Sequence, residues 1–124
     1  MSPKKPESRD PETLLPLPES VFHILLALAD GERHGYGIMR ETAARSAGRV
    51  RLGPGTLYGS IKRMLAEGLI GECDARKDAE PGEDRRRYYR LTRFGRRVAV
   101  AEAGRLAALV RMARAKKLPV PRTA

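Results

Sequence analysis

The chain has little of several residue types, and each shortage excludes a class of protein. Its only cysteine, Cys73, cannot form an internal disulfide, which favours a reducing compartment. No apolar run is long enough to cross a bilayer, and residues 1–18 carry charges and prolines where a signal peptide needs an apolar stretch. We therefore expect a cytoplasmic protein that has no membrane segment.

Residues that perform catalysis or bind metals are also scarce. The two histidines, His23 and His34, come from different predicted elements and have no companion ligands at metal spacing, so surface or boundary positions suit them better. There is no glycine-rich phosphate loop and no Ser/His/Asp or Cys/His set at a recognised spacing. For 124 residues that can bury one core, this pattern predicts no enzyme, no metal and no cofactor.

Acidic residues are nearly missing from the last forty positions. Residues 85–124 contain 13 Lys or Arg against one Asp or Glu, whereas residues 1–84 contain 12 against 14. The formal net charge of +10 is therefore located in the C-terminal third. A one-sided positive field attracts a polyanion, with nucleic acid first and an anionic membrane surface second. Charge alone does not choose between them.

The first part of the chain predicts an arm and a buried helix. Residues 1–18 are rich in Pro, Lys, Glu and Ser, which predicts a flexible arm. From Glu19 to Asp30, large apolar residues project in nearly every direction around a helix. In so short a chain, a second subunit covers the extra apolar side more easily than further parts of the same chain.

Two shorter helices follow. The second helix begins after His34 and ends before Gly48, since Tyr36, Met39 and Ala43 share a face. The third has a proline at its first position and a closing glycine, Gly68. Its core-facing apolar residues are Leu57, Ile61, Met64 and Leu65. A short glycine-containing connector followed by a helix that is small and polar near its start is typical of a helix-turn-helix.

The pattern then changes to period two, which is typical of strands. Residues 69–75 alternate, Pro81-Gly82 marks a turn, and Tyr88 and Tyr89 favour a returning strand. This predicts a hairpin, or wing, in which one tyrosine packs and the other is partly exposed.

A last helix is predicted from the N-cap Thr92 to about Lys117, and two later prolines prevent it from continuing. Its apolar residues and those of the first helix are available to join two subunits. We expect the dimer interface to include Phe22, Leu26, Val98, Leu109 and Met112.

Three sequence blocks carry a family resemblance. They are Gly35-Tyr36-Gly37-Ile38, residues 55–70 (GTLYGSIKRMLAEGLI), and residues 86–92 (RRYYRLT) with Gly95. In their order and spacing they resemble the PadR family of bacterial transcriptional regulators. The resemblance implies a winged helix-turn-helix whose third helix enters the DNA major groove, whose wing touches the backbone or minor groove, and whose last helix makes the dimer. It also implies repression, relieved in many members by a small molecule.

The expected fold is mainly α-helical with a small β-hairpin wing. The flexible arm is assigned to residues 1–18 and the winged helix-turn-helix domain to residues 19–92. A C-terminal dimerisation helix takes residues 93–117, and residues 118–124 form a tail. The dimer interface is the obvious place for a small-molecule effector in so short a chain.

The third helix supplies the first candidate DNA contacts. Four polar residues face outward and can reach base edges or phosphates: Thr56, Ser60, Lys62 and Arg63. Arg63 is the first choice for base readout. Tyr36 and Tyr58 could each pack a ring between helices and bond a phosphate oxygen, with pure core packing as an equal alternative.

The returning strand of the wing supplies the second set, Arg85, Arg86 and Arg87. A solvated basic strand end is the alternative. Three acidic residues, Glu80, Glu83 and Asp84, occupy the loop and would be repelled by phosphate, so we expect the arginines to make the contact and not the turn.

The resulting hypothesis is a homodimeric repressor that binds double-stranded DNA at an inverted repeat. A basic RNA-binding or ribosome-associated protein would also explain the charge, although RNA readers commonly use aromatic platforms. A winged helix used only for protein contacts would show no salt-dependent DNA affinity.

Overall fold

The computed structural model describes residues 9–73 and 87–121, which form four α-helices, a 3₁₀ helix and three short strands. In chain order these are the 3₁₀ helix Pro11–Leu14, α1 Glu19–Leu28, β1 Arg33–His34, α2 Gly35–Arg45, α3 Pro54–Ala66, β2 Ile70–Cys73, β3 Tyr88–Leu91 and α4 Arg93–Ala115. The predicted fold class, mainly α with a small antiparallel sheet, is confirmed. Across the described residues, no helix combines the length and hydropathy that crossing a membrane requires.

Local capping explains where the helices begin. His34 precedes α2, and its Nδ1 accepts a hydrogen bond from the backbone N–H of Gly37 at 3.0 Å. Thr92 does the same for α4, its Oγ1 accepting from the N–H of Gly95 at 2.9 Å. Pro54 opens α3, where a missing N–H costs nothing. The predicted helix boundaries lie within a few residues of those observed.

Helix α1 lies at the centre of the core and packs against the other three α-helices and β3. Its residues Ile24 and Leu25 are fully buried, together with Leu57 of α3 and Phe94 of α4. At the start of α4, a Cβ on Gly95 would lie 2.0 Å from the carbonyl oxygen of Leu69. Only glycine allows this approach, so α4 is held tightly against the end of α3.

The sheet has the order β1-β3-β2, and both pairings are antiparallel. The strand β1 was not predicted, because two residues are too few to show a period. It makes β3 the central strand, and both tyrosines of β3 are buried, with 5% of Tyr88 and 4% of Tyr89 exposed. The prediction that one of them is partly exposed is therefore wrong. The turn at Pro81-Gly82 lies outside the described residues.

The N-terminal segment differs from the flexible arm predicted for residues 1–18. Residues 9–18 contain the 3₁₀ helix and lie against the core through Leu14, Leu15 and Leu17. The guanidinium of Arg9 stacks 4.3 Å from the centroid of the Phe94 ring and donates a hydrogen bond to a backbone carbonyl at the end of α3. Three leucines among the prolines supply the apolar area that an arm lacks. Residues 1–8 lie outside the described part of the chain.

Candidate nucleic-acid interface

The outer face of α3 is exposed, and apart from one lysine its residues are glycine or alanine. Burial of Leu57, Ile61 and Met64 turns the opposite face of the helix to solvent. We define this outer face by its exposed residues, Gly55, Gly59, Lys62 and Ala66. A Cβ added at either glycine would have no atom within 4 Å, so packing inside the protein does not explain these glycines. Their absence of side chains leaves the backbone open to close approach by a partner.

Lys62 and Thr56 are exposed, as the sequence predicted. Within the described residues, Lys62 forms no ion pair, so its ammonium is available to a phosphate. Thr56 lies in the first turn of α3, where backbone N–H groups also point outward. Their exposure agrees with the prediction, and their DNA contacts stay predictions.

Ser60 lies at the contact between α3 and α1, which corrects the prediction that it is on the fully exposed face. It is half-buried, and its Oγ lies 3.2 Å from the Oγ of Ser20 on α1. A hydrogen bond between two helices is a sufficient reason for a hydroxyl here. The residue ties α3 to α1.

Arg63 is exposed but already has a partner. Its Nε lies 2.8 Å from a carboxylate oxygen of Glu67, one turn further along α3. It also lines a small crevice beside Leu14 and Leu17 of the N-terminal segment, to one side of the outer face. A contact with DNA would have to exchange this ion pair for a phosphate or base edge, so Lys62 becomes the stronger candidate on α3.

Tyr36 and Tyr58 flank the outer face and are about half exposed, at 55% and 49%. Neither is a core residue. A Cβ on Gly35 would lie 2.5 Å from the Tyr58 hydroxyl oxygen, so the glycine leaves room for this ring. The guanidinium of Arg40 lies 5.8 Å from the centroid of the Tyr36 ring. Two hydroxyls and a cation therefore lie along one edge of the helix pair.

The connector between α2 and α3 adds basic residues that sequence reasoning missed. Arg49 and Arg51 are exposed there, after a turn formed by Ala47 and Gly48 at positive φ. They directly precede α3, and Arg40 is exposed on α2 beside Tyr36. Their position in the sequence could have identified them, because basic residues in a helix-turn-helix connector lie where a DNA backbone passes.

Of the three arginines predicted to contact DNA from the wing, the structure describes one, Arg87. Arg87 is exposed and its guanidinium lies 3.1 Å from the carboxylate of Glu72 on the paired strand. Burial, followed by the same carboxylate, raises the pKa of Tyr89, which keeps that hydroxyl protonated. Arg85 and Arg86 lie outside the described residues, and their DNA contacts stay predictions.

Helix α4 is buried against the rest of the chain only through its first half. Val98, predicted at the dimer interface, is 0% exposed and belongs to the protomer core, so that prediction is wrong. From Ala103 to Ala115 no residue is buried, and four large apolar side chains are exposed: Leu106, Leu109, Val110 and Met112. The helical period of the sequence predicts which face of α4 is apolar. It does not predict which half of that face the rest of the chain buries.

The exposed apolar residues of α1 and α4 lie on the same side of the molecule. On α4, Arg96 lies about 40° around the helix from Val110, which shares a face with Leu106, and its guanidinium donates to the carbonyl of Ala29 at 3.1 Å. Ala29 follows α1 and shares a face with two residues of that helix that are not fully covered, Phe22 and Leu26. We call Phe22, Leu26, Leu106 and Val110 the apolar stripe.

The comparison with protein families agrees with this geometry. The model described as the transcriptional regulator PadR-like family matches residues 24–101, which is more than half of the chain. The chain belongs to the PadR-like family of transcriptional regulators. Members are regulators that bind DNA and not enzymes, so both predictions are confirmed at that level.

Two curated relatives of this PadR-like protein are similar in sequence. Transcriptional regulator Rv3488 of Mycobacterium tuberculosis is 34% identical over 90 residues, covering 73% of this chain and 78% of the relative. A 37.1 kDa protein in transposon TN4556 of Streptomyces fradiae is 41% identical over 86 residues, or 69% of this chain. The match spans 22% of that longer protein.

Solved structures share the fold. A PadR family transcription regulator of Clostridium difficile R20291 has a TM-score of 0.66 at 23% identity, covering 78% of this chain and 96% of that one. A transcriptional regulator of Clostridium thermocellum has a TM-score of 0.64 at 22% identity, covering 75% and 84%. At this level of identity the similarity concerns the fold alone.

Proposed function

We propose that this PadR-like regulator is a homodimeric repressor that binds an inverted-repeat operator in double-stranded DNA. In this proposal α3 lies in the major groove, and the basic residues around it contact the backbone. The observation that carries the proposal is the outer face of α3, which is exposed, open at two glycines and free of carboxylates.

The charges around α3 support a phosphate partner. Arg49 and Arg51 are exposed just before its start, Arg40 is exposed on α2, and Lys62 is exposed on its outer face. The neighbouring acid Glu41 is neutralised by Arg45 at 2.8 Å. Phosphate contacts of this kind fix the orientation of a helix on DNA and do not specify sequence. Sequence discrimination then falls to Thr56 and to Arg63, which would exchange its ion pair with Glu67 for a base edge.

The second half of α4 supports the dimer. With 23 residues, α4 is about 34 Å long, and its last turns project beyond the protomer core. Leu106 and Val110 continue the face that α1 shares, so a second copy that packs on the apolar stripe would cover all four residues. Leu109 lies at the edge of the stripe, and Met112 points about a third of a turn away from Leu106. We therefore propose Leu106 and Val110 at the centre of the interface.

A two-fold dimer determines the form of the DNA site. Two copies of α3 reach successive major grooves when they lie about 34 Å apart, and the two half-sites are then inverted. A dimer of this kind that covers a promoter excludes polymerase sterically, which gives repression. The proposed effector site at the dimer interface would lie beside the apolar stripe.

Selection from a random duplex pool tests the proposal. The purified chain should enrich sequences with two inverted half-sites about 10 base pairs apart, centre to centre. Light scattering at micromolar concentration should give the mass of a dimer. Transcription in vitro from a promoter that carries the selected sequence should fall when the protein is added. A monomer, an enriched single half-site or increased transcription would contradict the proposal.

A further inference from the structure

An open groove lies between the N-terminal 3₁₀ helix and the first turns of α4. Its volume is about 630 Å³, which is within the range of small-molecule sites. One wall comes from Pro11 and its neighbours, and the other from α4. The family model matches residues 24–101, so the first wall lies outside the matched residues.

Three arginines of α4 line this groove: Arg93, Arg96 and Arg97. Arg93 makes no side-chain hydrogen bond or ion pair with the described residues. Arg96 uses one nitrogen for the carbonyl of Ala29 and keeps its other donors. A guanidinium is the group that best matches a carboxylate, because two parallel N–H donors fit its two oxygens.

Most of the exposed lining surface is nevertheless apolar. Val100 is 68% exposed, and it lies beside Ala101 and opposite Pro11. Val100 points about a third of a turn away from Leu106 and about 80° away from Val110, so it lies beside the apolar stripe and not on it. An apolar wall beside cationic groups fits a ligand with an anionic head and an apolar body.

The N-terminal wall is held on both sides of the groove. Arg9 is fixed against Phe94, and the backbone N–H of Leu17 donates to the buried carboxylate of Glu102 at 2.9 Å. Arg105 donates to the same carboxylate. These contacts form the groove before a ligand arrives, which lowers the entropic cost of binding.

We propose that this groove binds an organic carboxylate that has an apolar body. The acids Asp10 and Glu12 also line it and offset two of the three cations. That balance suits a ligand with one anionic group and disfavours the many phosphates of a nucleic acid. The groove is separate from the outer face of α3, so the proposal goes beyond DNA binding.

Titration of the full chain with octanoate tests the groove by calorimetry and by amide NMR shifts, in the absence of DNA. Octanoate should bind saturably and move the amides of residues 10–12 and 93–101. Acetate lacks the apolar body and 1-octanol lacks the charge, so each should bind about tenfold more weakly or less well.

Matched variants locate the site. Arg93→Glu should weaken octanoate binding by about tenfold or more, and it should fold, because a carboxylate is favourable in the first turn of a helix. Arg111→Glu makes the same charge change on the same face of α4, about 27 Å further along, and should bind octanoate as the wild type does. Val100→Ser should weaken octanoate but not acetate.

Four outcomes would overturn the proposal. Three are the absence of saturable octanoate binding, equal binding of acetate and octanoate, and equal losses in the Arg93 and Arg111 variants. The fourth is a set of amide shifts confined to Leu106 and Val110, which would place the ligand at the apolar stripe. None of these measurements depends on DNA binding, so they succeed or fail independently of the proposed operator.

Discussion

Gly59 shows how a single residue can serve a partner at a cost to its own helix. Glycine inside a helix is less stable than alanine by about 1 kcal/mol, and no contact within the protein compensates at this position. We predict that Gly59→Ala stabilises the fold and weakens DNA binding, because a methyl group would stand between the α3 backbone and the groove floor. Urea unfolding and fluorescence anisotropy measure the two effects.

Gly104 provides the matched control, since it is an exposed helical glycine on α4 that also has no atom within 4 Å of an added Cβ. Gly104→Ala should raise stability by a similar amount and leave DNA affinity unchanged. Equal DNA affinity for Gly59→Ala and the wild type would remove the outer face from the interface.

Lys62 tests the phosphate contact on α3. Its ammonium is exposed, whereas Arg63 is paired with Glu67. Lys62→Ala should lower the slope of log affinity against log salt concentration by about 1. Arg63→Ala should change the slope less, and Lys116→Ala, at the far end of α4, should leave it unchanged. A slope that falls for Arg63→Ala alone would make Arg63, and not Lys62, the phosphate contact on α3.

Glu102 is a buried carboxylate whose charge stabilises the fold. Its hydrogen bond with Arg105, and then that with the Leu17 N–H, lower its pKa despite burial. A lowered folded pKa means that this stability is complete above the unfolded value near 4.5 and is lost as pH falls through the folded value. Glu102→Gln should cost about 1–3 kcal/mol at pH 7 and flatten the acid limb of stability. Glu12→Gln, on an exposed residue, is the control for urea titrations at pH 7 and pH 4.

Helix α4 has a first half that is buried against the rest of the chain and a second half that is exposed. Val110→Glu places a charge in the apolar stripe and should convert a dimer into a monomer in light scattering. Arg111→Glu changes the next residue, which points away from the stripe, and should remain dimeric. If Val110→Glu stays dimeric at micromolar concentration, another surface joins the subunits.

The elements also show what the sequence could predict. Long helices were predicted because several turns repeat one apolar spacing, and caps such as Thr92 are local. The strand β1 was missed because two residues are too few to show a period. The folded N-terminal segment was missed because its many prolines and charges suggested a flexible arm, although three of its leucines pack against the core. Ser60 and Val98 were misassigned for a different reason. Their neighbours, Ser20 and the α1 core, are distant in sequence, and periodicity indicates a face without indicating what covers it.

Across the folded chain, the positive charge is divided between separate surfaces. Arg40, Arg49 and Arg51 lie on α2 and on the connector that leads to α3, whereas Arg93, Arg96 and Arg97 line the groove beside the N-terminal segment. The C-terminal charge therefore contributes to long-range attraction without all of it contacting DNA. The sequence located the charge along the chain, and the fold separates it in space.

The dimer geometry sets a final expectation for the operator. If α4 joins the protomers rigidly, the two α3 helices can reach only one half-site spacing on one face of the duplex. Inserting five base pairs between the half-sites rotates one of them to the opposite face, since a turn of DNA contains about 10 base pairs. Affinity should fall to that of a single half-site in anisotropy titrations, and Val110→Glu should already bind at that lower level on the unaltered operator. Equal affinity for both spacings would mean that each protomer binds alone, which would contradict the dimer even if the outer face of α3 contacts the DNA.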